Sequence, residues 1–163
     1  MALVQPDGEI ATAYQAAPQF DDFTYGTDAS GQSGYLAQPT PGEPNSALAL
    51  PGPILADVGH VPINPMPMED ITITVRVTAR GESTVNQVNL KSRVDYKSET
   101  TTAMLDDGTK GDAEAGDGIY TAILSGRTLF GPRIPVGSMA RWYVTAEDGD
   151  GNFSRFPPYL DTE

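Results

Sequence analysis

Ile71-Thr72-Ile73-Thr74-Val75-Arg76-Val77-Thr78-Ala79 alternates apolar and polar residues with a period of two. Successive side chains of an extended chain point to opposite faces, so Ile71, Ile73, Val75, Val77 and Ala79 share one face. β-Branched residues at most of these positions favour a strand over a helix. The stretch predicts a strand with one buried face and one wet face.

The same signals recur after it. Arg80-Gly81-Glu82-Ser83 predicts a turn. Val85, Val88, Leu90, Val94 and Tyr96 mark a second long strand, and the step from Val85 to Val88 breaks the alternation as a bulge would. Thr100 to Leu105 is a short third strand, and Ile119 to Leu124 follows a turn-rich loop. Ala140 to Glu147 alternates again, with Trp142, Val144 and Ala146 inward and Tyr143 outward. Asn152 to Phe156 closes the pattern before Pro157-Pro158. About seven strands in this spacing, with no amphipathic helix between them, predict an all-β, immunoglobulin/fibronectin-III-like antiparallel β-sandwich over residues 53–163. Ile71, Ile73, Val75, Val77, Tyr120, Trp142, Val144 and Ala146 are its expected core.

Composition agrees. Glycine (17) and proline (14) make up about 19% of 163 residues, against roughly 12% in average usage. There is no Cys, which excludes disulfides, thiolate metal sites and thiol catalysis. Twenty-two acids face ten bases, for a net charge of −12. Such a surface repels phosphate backbones and anionic bilayers, so nucleic acid is not an expected partner. No apolar run approaches the ~18 residues of a membrane span. The opening Met1-Ala2-Leu3-Val4-Gln5-Pro6 has neither the basic nor the apolar region of a secretory leader.

Upstream the composition changes. Residues 1–46 are rich in Gly, Gln, Ser, Ala and Tyr, and end in Pro39-Thr40-Pro41-Gly42-Glu43-Pro44-Asn45-Ser46. Proline fixes φ and removes a donor, so that stretch forms neither helix nor central strand. Residues 1–46 are therefore a separate unit, and 47–52 a linker. Leu3, Ile10, Tyr14, Phe20 and Phe23 are the apolar residues of the 1–46 unit.

Two stretches resemble known modules. Asp22-Phe23-Thr24-Tyr25-Gly26, followed by Pro39-Thr40-Pro41-Gly42-Glu43-Pro44-Asn45, resembles the closing segment of bacterial lamin-tail domains. The resemblance implies that Ala2 to Gln15 is the preceding strand pair, turning at Pro6-Asp7-Gly8-Glu9, and that residues 1–46 are a partial β unit, the C-terminal part of such a domain. The loop Met104 to Tyr120 and the final Ala146-Glu147-Asp148-Gly149-Asp150-Gly151-Asn152 resemble an Ig-like module of large secreted bacterial proteins. In this order the two modules are familiar from multidomain surface proteins, some with a spore-coat-protein-H-like kinase domain. The resemblance implies an exported bacterial fragment, extracellular or at the cell surface, whose signal and partner domains lie outside this chain. It implies no particular activity.

The acidic loop is the sharpest chemical signal. Asp106, Asp107, Asp112, Glu114 and Asp117 are offset only by Lys110. Calcium takes six to eight oxygens from carboxylates and carbonyls, often on a loop flexed by glycine. Asp107, Asp112 and Asp117 each adjoin a glycine or precede one closely, and are the candidate calcium ligands. The spacing departs from the EF-hand loop. The other reading is turn chemistry, in which Asp side chains cap backbone N–H groups.

Asp148, Asp150 and Asn152 start like a calcium loop, but the next acid is Asp161, so a tight hairpin explains them. Asn152-Phe153-Ser154 matches an N-glycosylation sequon. The single histidine, His60, would have to carry any triad or zinc site alone. No nucleophile elbow, phosphate loop or dinucleotide fingerprint is present, so no catalytic residue and no enzymatic activity are expected. Tyr25, Tyr35, Tyr143 and Tyr159 are candidates for a sugar-binding platform. The expected role is non-catalytic: a spacer, structural or protein-interaction module whose partners are other domains of the same polypeptide, or protein or polysaccharide at the cell surface. The alternative is a carbohydrate-binding accessory module of a secreted enzyme.

Overall fold

The computed structural model describes residues 2–13, 23–36, 38–66, 68–130 and 137–157. Tyr14, Phe20, Tyr159 and Asp161 lie outside them. The chain divides into two compact units, Met1–Leu50 and Pro51–Glu163.

In the first unit, β1 (Ala2–Val4) pairs antiparallel with β2 (Ile10–Ala13). Leu3, Val4 and Ile10 are exposed. A second hairpin joins β3 (Thr24–Thr27) to β4 (Ser33–Leu36). Its turn is held by Asp28 Oδ1, which accepts from Ser30 N–H at 2.8 Å and Gln32 N–H at 3.0 Å. Tyr25 and Tyr35 stand directly opposite and meet edge-to-face with centroids 5.3 Å apart, and Phe23 meets Tyr35 at 6.4 Å. Leu36 is buried and bridges to Leu48. Gly26 and Gly34 face each other across the hairpin, and a Cβ on either would press within 3.1–3.2 Å of Leu48 or Leu36.

The second unit begins at Pro51. Pro51, Gly52 and Pro53 are buried in it, so the expected linker runs into the domain here. A side chain at Gly52 would collide with the backbone of Phe153. Among its described residues, seven strands form two antiparallel sheets. One sheet has the order β5-β6-β9: β5 (Ile54–Val61), β6 (Ile71–Thr78) and β9 (Ile119–Leu124). The other has the order β11-β10-β7-β8: β7 (Val85–Val94), β8 (Thr100–Ala103), β10 (Ala140–Asp148) and β11 (Phe153–Phe156). A five-residue helix, α1 (Gly126–Phe130), follows β9. This is the expected all-β antiparallel sandwich.

Both sheets contribute to one core. Ile71, Ile73, Val75 and Val77 of β6 meet Val88, Leu90 and Val94 of β7 and Val144 and Ala146 of β10. Fully burying such a side chain stabilises by roughly 1.5–3 kcal/mol. Tyr120 and Trp142 are half-buried and pack against this cluster at its margin. The bulge falls where the pattern broke: Glu147 opposes Gln87 while Asp148 opposes Val85, leaving Asn86 over. Tyr96 is a correction. The strand ends at Val94, Asp95 takes φ 51°, and Tyr96 is 79% exposed.

The sheet margins are irregular. Edge strand β5 is bulged between Ala56 and Gly59, with Asp57 at φ 49° and paired to Arg76 at 3.2 Å, and it stops at Val61 before Pro62. Beside β9, Leu105 exchanges backbone hydrogen bonds with Thr121 at 2.8 and 3.0 Å.

Candidate functional site

The Asp106–Asp117 loop leaves the sandwich after Leu105 and returns at β9. Aspartate is a short acceptor that reaches nearby backbone N–H groups, and glycines at Gly108, Gly111, Gly116 and Gly118 take positive φ. The loop curls so that carboxylate oxygens of Asp106, Asp112 and Asp117 lie within 4.8 Å of one another. Two of the three expected ligands, Asp112 and Asp117, are thus brought together. Asp107 is not with them, and Asp106 takes that place.

Each carboxylate has a backbone task. Asp106 Oδ1 accepts from Gly116 N–H at 2.6 Å and Asp117 N–H at 3.2 Å, and its Oδ2 accepts from Gly118 N–H at 3.0 Å. Asp112, only 8% exposed, accepts from Gly108 N–H at 2.6 Å. Asp117 accepts from Ile119 N–H at 2.8 Å. Asp107 accepts from the Thr109 hydroxyl at 2.7 Å and the Thr109 N–H at 2.9 Å. The Thr109 hydroxyl is the main reason the Asp107 carboxyl sits below the usual carboxylate range. Tyr120 is pushed up, first by burial and then by the Asp106 charge.

Three converging oxygens would give a hard divalent cation only part of its shell, with carbonyls or water to supply the rest. The hydrogen bonds present account for the same acids as caps: amide dipoles offset the repulsion of the carboxylates. Asp106 was missed because its partners lie 10 to 12 residues downstream, where no local spacing signals them.

The second acidic motif is a hairpin, as expected. Asp148, 2% exposed, accepts from Asp150 N–H at 3.0 Å, Asn152 N–H at 2.8 Å and the Asn152 side-chain amide at 2.9 Å. Its carboxyl is lowered, chiefly by that side-chain amide.

His60 lies on β5, its Nδ1 3.0 Å from the Pro62 carbonyl oxygen. Its ring meets Trp142 edge-to-face at 6.0 Å, a contact between the two sheets. In the first unit, the Asn45 side-chain amide donates to Thr27 O at 2.7 Å and ties the Pro-Thr-Pro-Gly segment to β3. Tyr143 points outward, donates its hydroxyl to Glu99 at 2.8 Å, and lies under the Arg155 guanidinium at 3.8 Å.

The chain matches no protein-family model, and no curated protein matches it.

Proposed function

We propose that this chain is a non-catalytic module of a secreted or surface protein, serving to space, join or present other domains of the same polypeptide. The observation that carries this reading is the use made of the acids. Asp106, Asp107, Asp112, Asp117 and Asp148 each accept at least one backbone N–H hydrogen bond within their own loop or turn. Groups so engaged fix loop shape and are poorly placed for acid–base chemistry, which needs a reachable proton. His60 is likewise committed to a carbonyl and to Trp142. The resemblance to lamin-tail and Ig-like modules of bacterial surface proteins supports the same reading.

The test is a replacement in the parent protein. Substituting an unrelated sandwich of similar size should leave the activity and localisation of the neighbouring domains intact. Loss of either, with the parent protein still folded, would count against a joining role. A carbohydrate-binding role has one specific observation in its favour, the cationic and aromatic surface around Tyr143.

A further inference from the structure

β8 lies at the edge of one sheet and β9 at the edge of the other, and a cleft of about 350 Å³ opens between them, lined from both sides. Alternation puts Val88, Leu90, Ser92 and Val94 of β7 on the inward face, all four buried. Pairing sets Thr102 across from Leu90 and Thr100 across from Ser92. Residues directly opposite share a face, so both threonines lie on the cleft side with Ser92. At these three positions the inner face carries hydroxyls, where the facing sheets of a closed sandwich interdigitate aliphatic side chains.

Ser92 is 5% exposed, yet its hydroxyl makes no hydrogen bond to any described residue. A buried hydroxyl left without a partner is unfavourable. This one borders the cleft, which leaves the cleft as the source of its partner. Val94, Ile123 and Leu124 add aliphatic surface, and Ser98, Ser125 and Thr128 add further hydroxyls. Among the described residues, no aromatic ring and no carboxylate lines the cleft. A sugar ring therefore has no platform to stack on, and an ammonium group or a metal ion has no counter-charge.

The charge at the cleft is positive. Lys97 borders it and brings three donors on a flexible stem. Asp95 lies near Lys97 and is itself held by the Met139 N–H at 2.8 Å. Arg93 borders the cleft too, but its guanidinium is engaged with other groups. Small-molecule sites begin at roughly 300 Å³, so the occupant is small. We infer that this cleft binds a short-chain hydroxycarboxylic acid, its carboxylate on Lys97, its hydroxyl on Ser92 and the facing threonines, and its carbon chain against Val94 and Leu124. This goes beyond the joining role, which stands whether or not the cleft is filled.

The test titrates the full, isotope-labelled chain with 3-hydroxybutyrate and follows its amide signals by NMR. Butyrate, which lacks the hydroxyl, and butane-1,3-diol, which lacks the charge, are the comparison probes. Signals of the cleft strands β7, β8 and β9 should shift and saturate with 3-hydroxybutyrate, at a dissociation constant in the millimolar range or below. Both comparison probes should bind more weakly. Ser92→Ala combined with Thr102→Val removes two hydroxyls with little change of shape and should weaken binding about tenfold. Lys97→Gln should weaken it and remove its salt dependence. Lys110→Gln, on the acidic loop, should leave it unchanged. Melting curves of each variant separate lost binding from lost folding. If the double variant does not fold, Thr102→Val alone gives the same reading through a smaller loss. Absence of a saturable shift at the cleft with 3-hydroxybutyrate overturns the inference. So does equal binding of butyrate or of the diol, and so does full affinity in Lys97→Gln.

Discussion

Asp106 shows how one side chain can hold a loop. It accepts three amide hydrogen bonds from the far end of a twelve-residue excursion. Asp106→Ala removes the acceptor and leaves those amides to find water, so we expect a loss of about 1–3 kcal/mol by denaturant titration. Asp107→Ala loses only the contact with Thr109 and should cost less. Equal losses would return Asp107 to the centre of the site. Asp148 predicts the acid response. Its folded carboxyl is lowered below the unfolded value of about 3.9. The stabilisation it contributes is therefore present above about pH 4 and lost as pH falls through the folded value. Asp28, Asp95 and Asp107 are lowered too and act in the same direction. The melting temperature should be flat from neutrality to about pH 5 and fall below about pH 4, less steeply in Asp148→Asn. A melting temperature indifferent to acid would rule this out.

At the scale of elements, the strands were legible and the acidic loop was only half so. Period-two alternation from Ile71 to Val77 translates directly into the burial of β6, because a strand with one core face leaves no other placement for those side chains. The Val85 bulge was legible for the same reason. Tyr96 misled because an aromatic after a valine continues a strand pattern, while the positive φ at Asp95 that ends it leaves little local trace. Adjacency to glycine pointed to Asp107, but convergence depends on which acids the folded turn turns inward, a matter of longer-range geometry. Trp142 is inward in phase yet sits at the margin, against His60. Trp142→Ala should cost about 3 kcal/mol, the low end for large aromatics. Ile73→Ala, at the centre, should cost about 2–5 kcal/mol. For the loop as a unit, the amide caps predict that millimolar calcium leaves the melting temperature where EDTA leaves it, in the wild type and in Asp112→Asn alike. A rise of several degrees with calcium, absent in Asp112→Asn, would assign the cation site instead.

On the scale of the whole molecule, the two units have separate hydrogen-bonded sheets and separate buried side chains. Deleting residues 1–50 should leave residues 51–163 cooperative and β-rich by circular dichroism. If the remainder cannot fold, the division into two units fails. The upstream unit has less to stand on: two-stranded hairpins are marginal in water, and Leu36 is its buried side chain among the described residues.

The sheet margins carry one more consequence. A sandwich has four open rims, and each unpaired rim is a template on which another chain can add a strand. Here β5 is kinked by Asp57, β9 is partly occupied by Leu105, and β8 and β11 are each only four residues long. Among the described residues, none of these rims presents a long flat ribbon. Crowded side by side, many copies of this sandwich would have poor purchase for stitching into fibres, so a surface could be densely coated with it and still remain a layer of separate molecules.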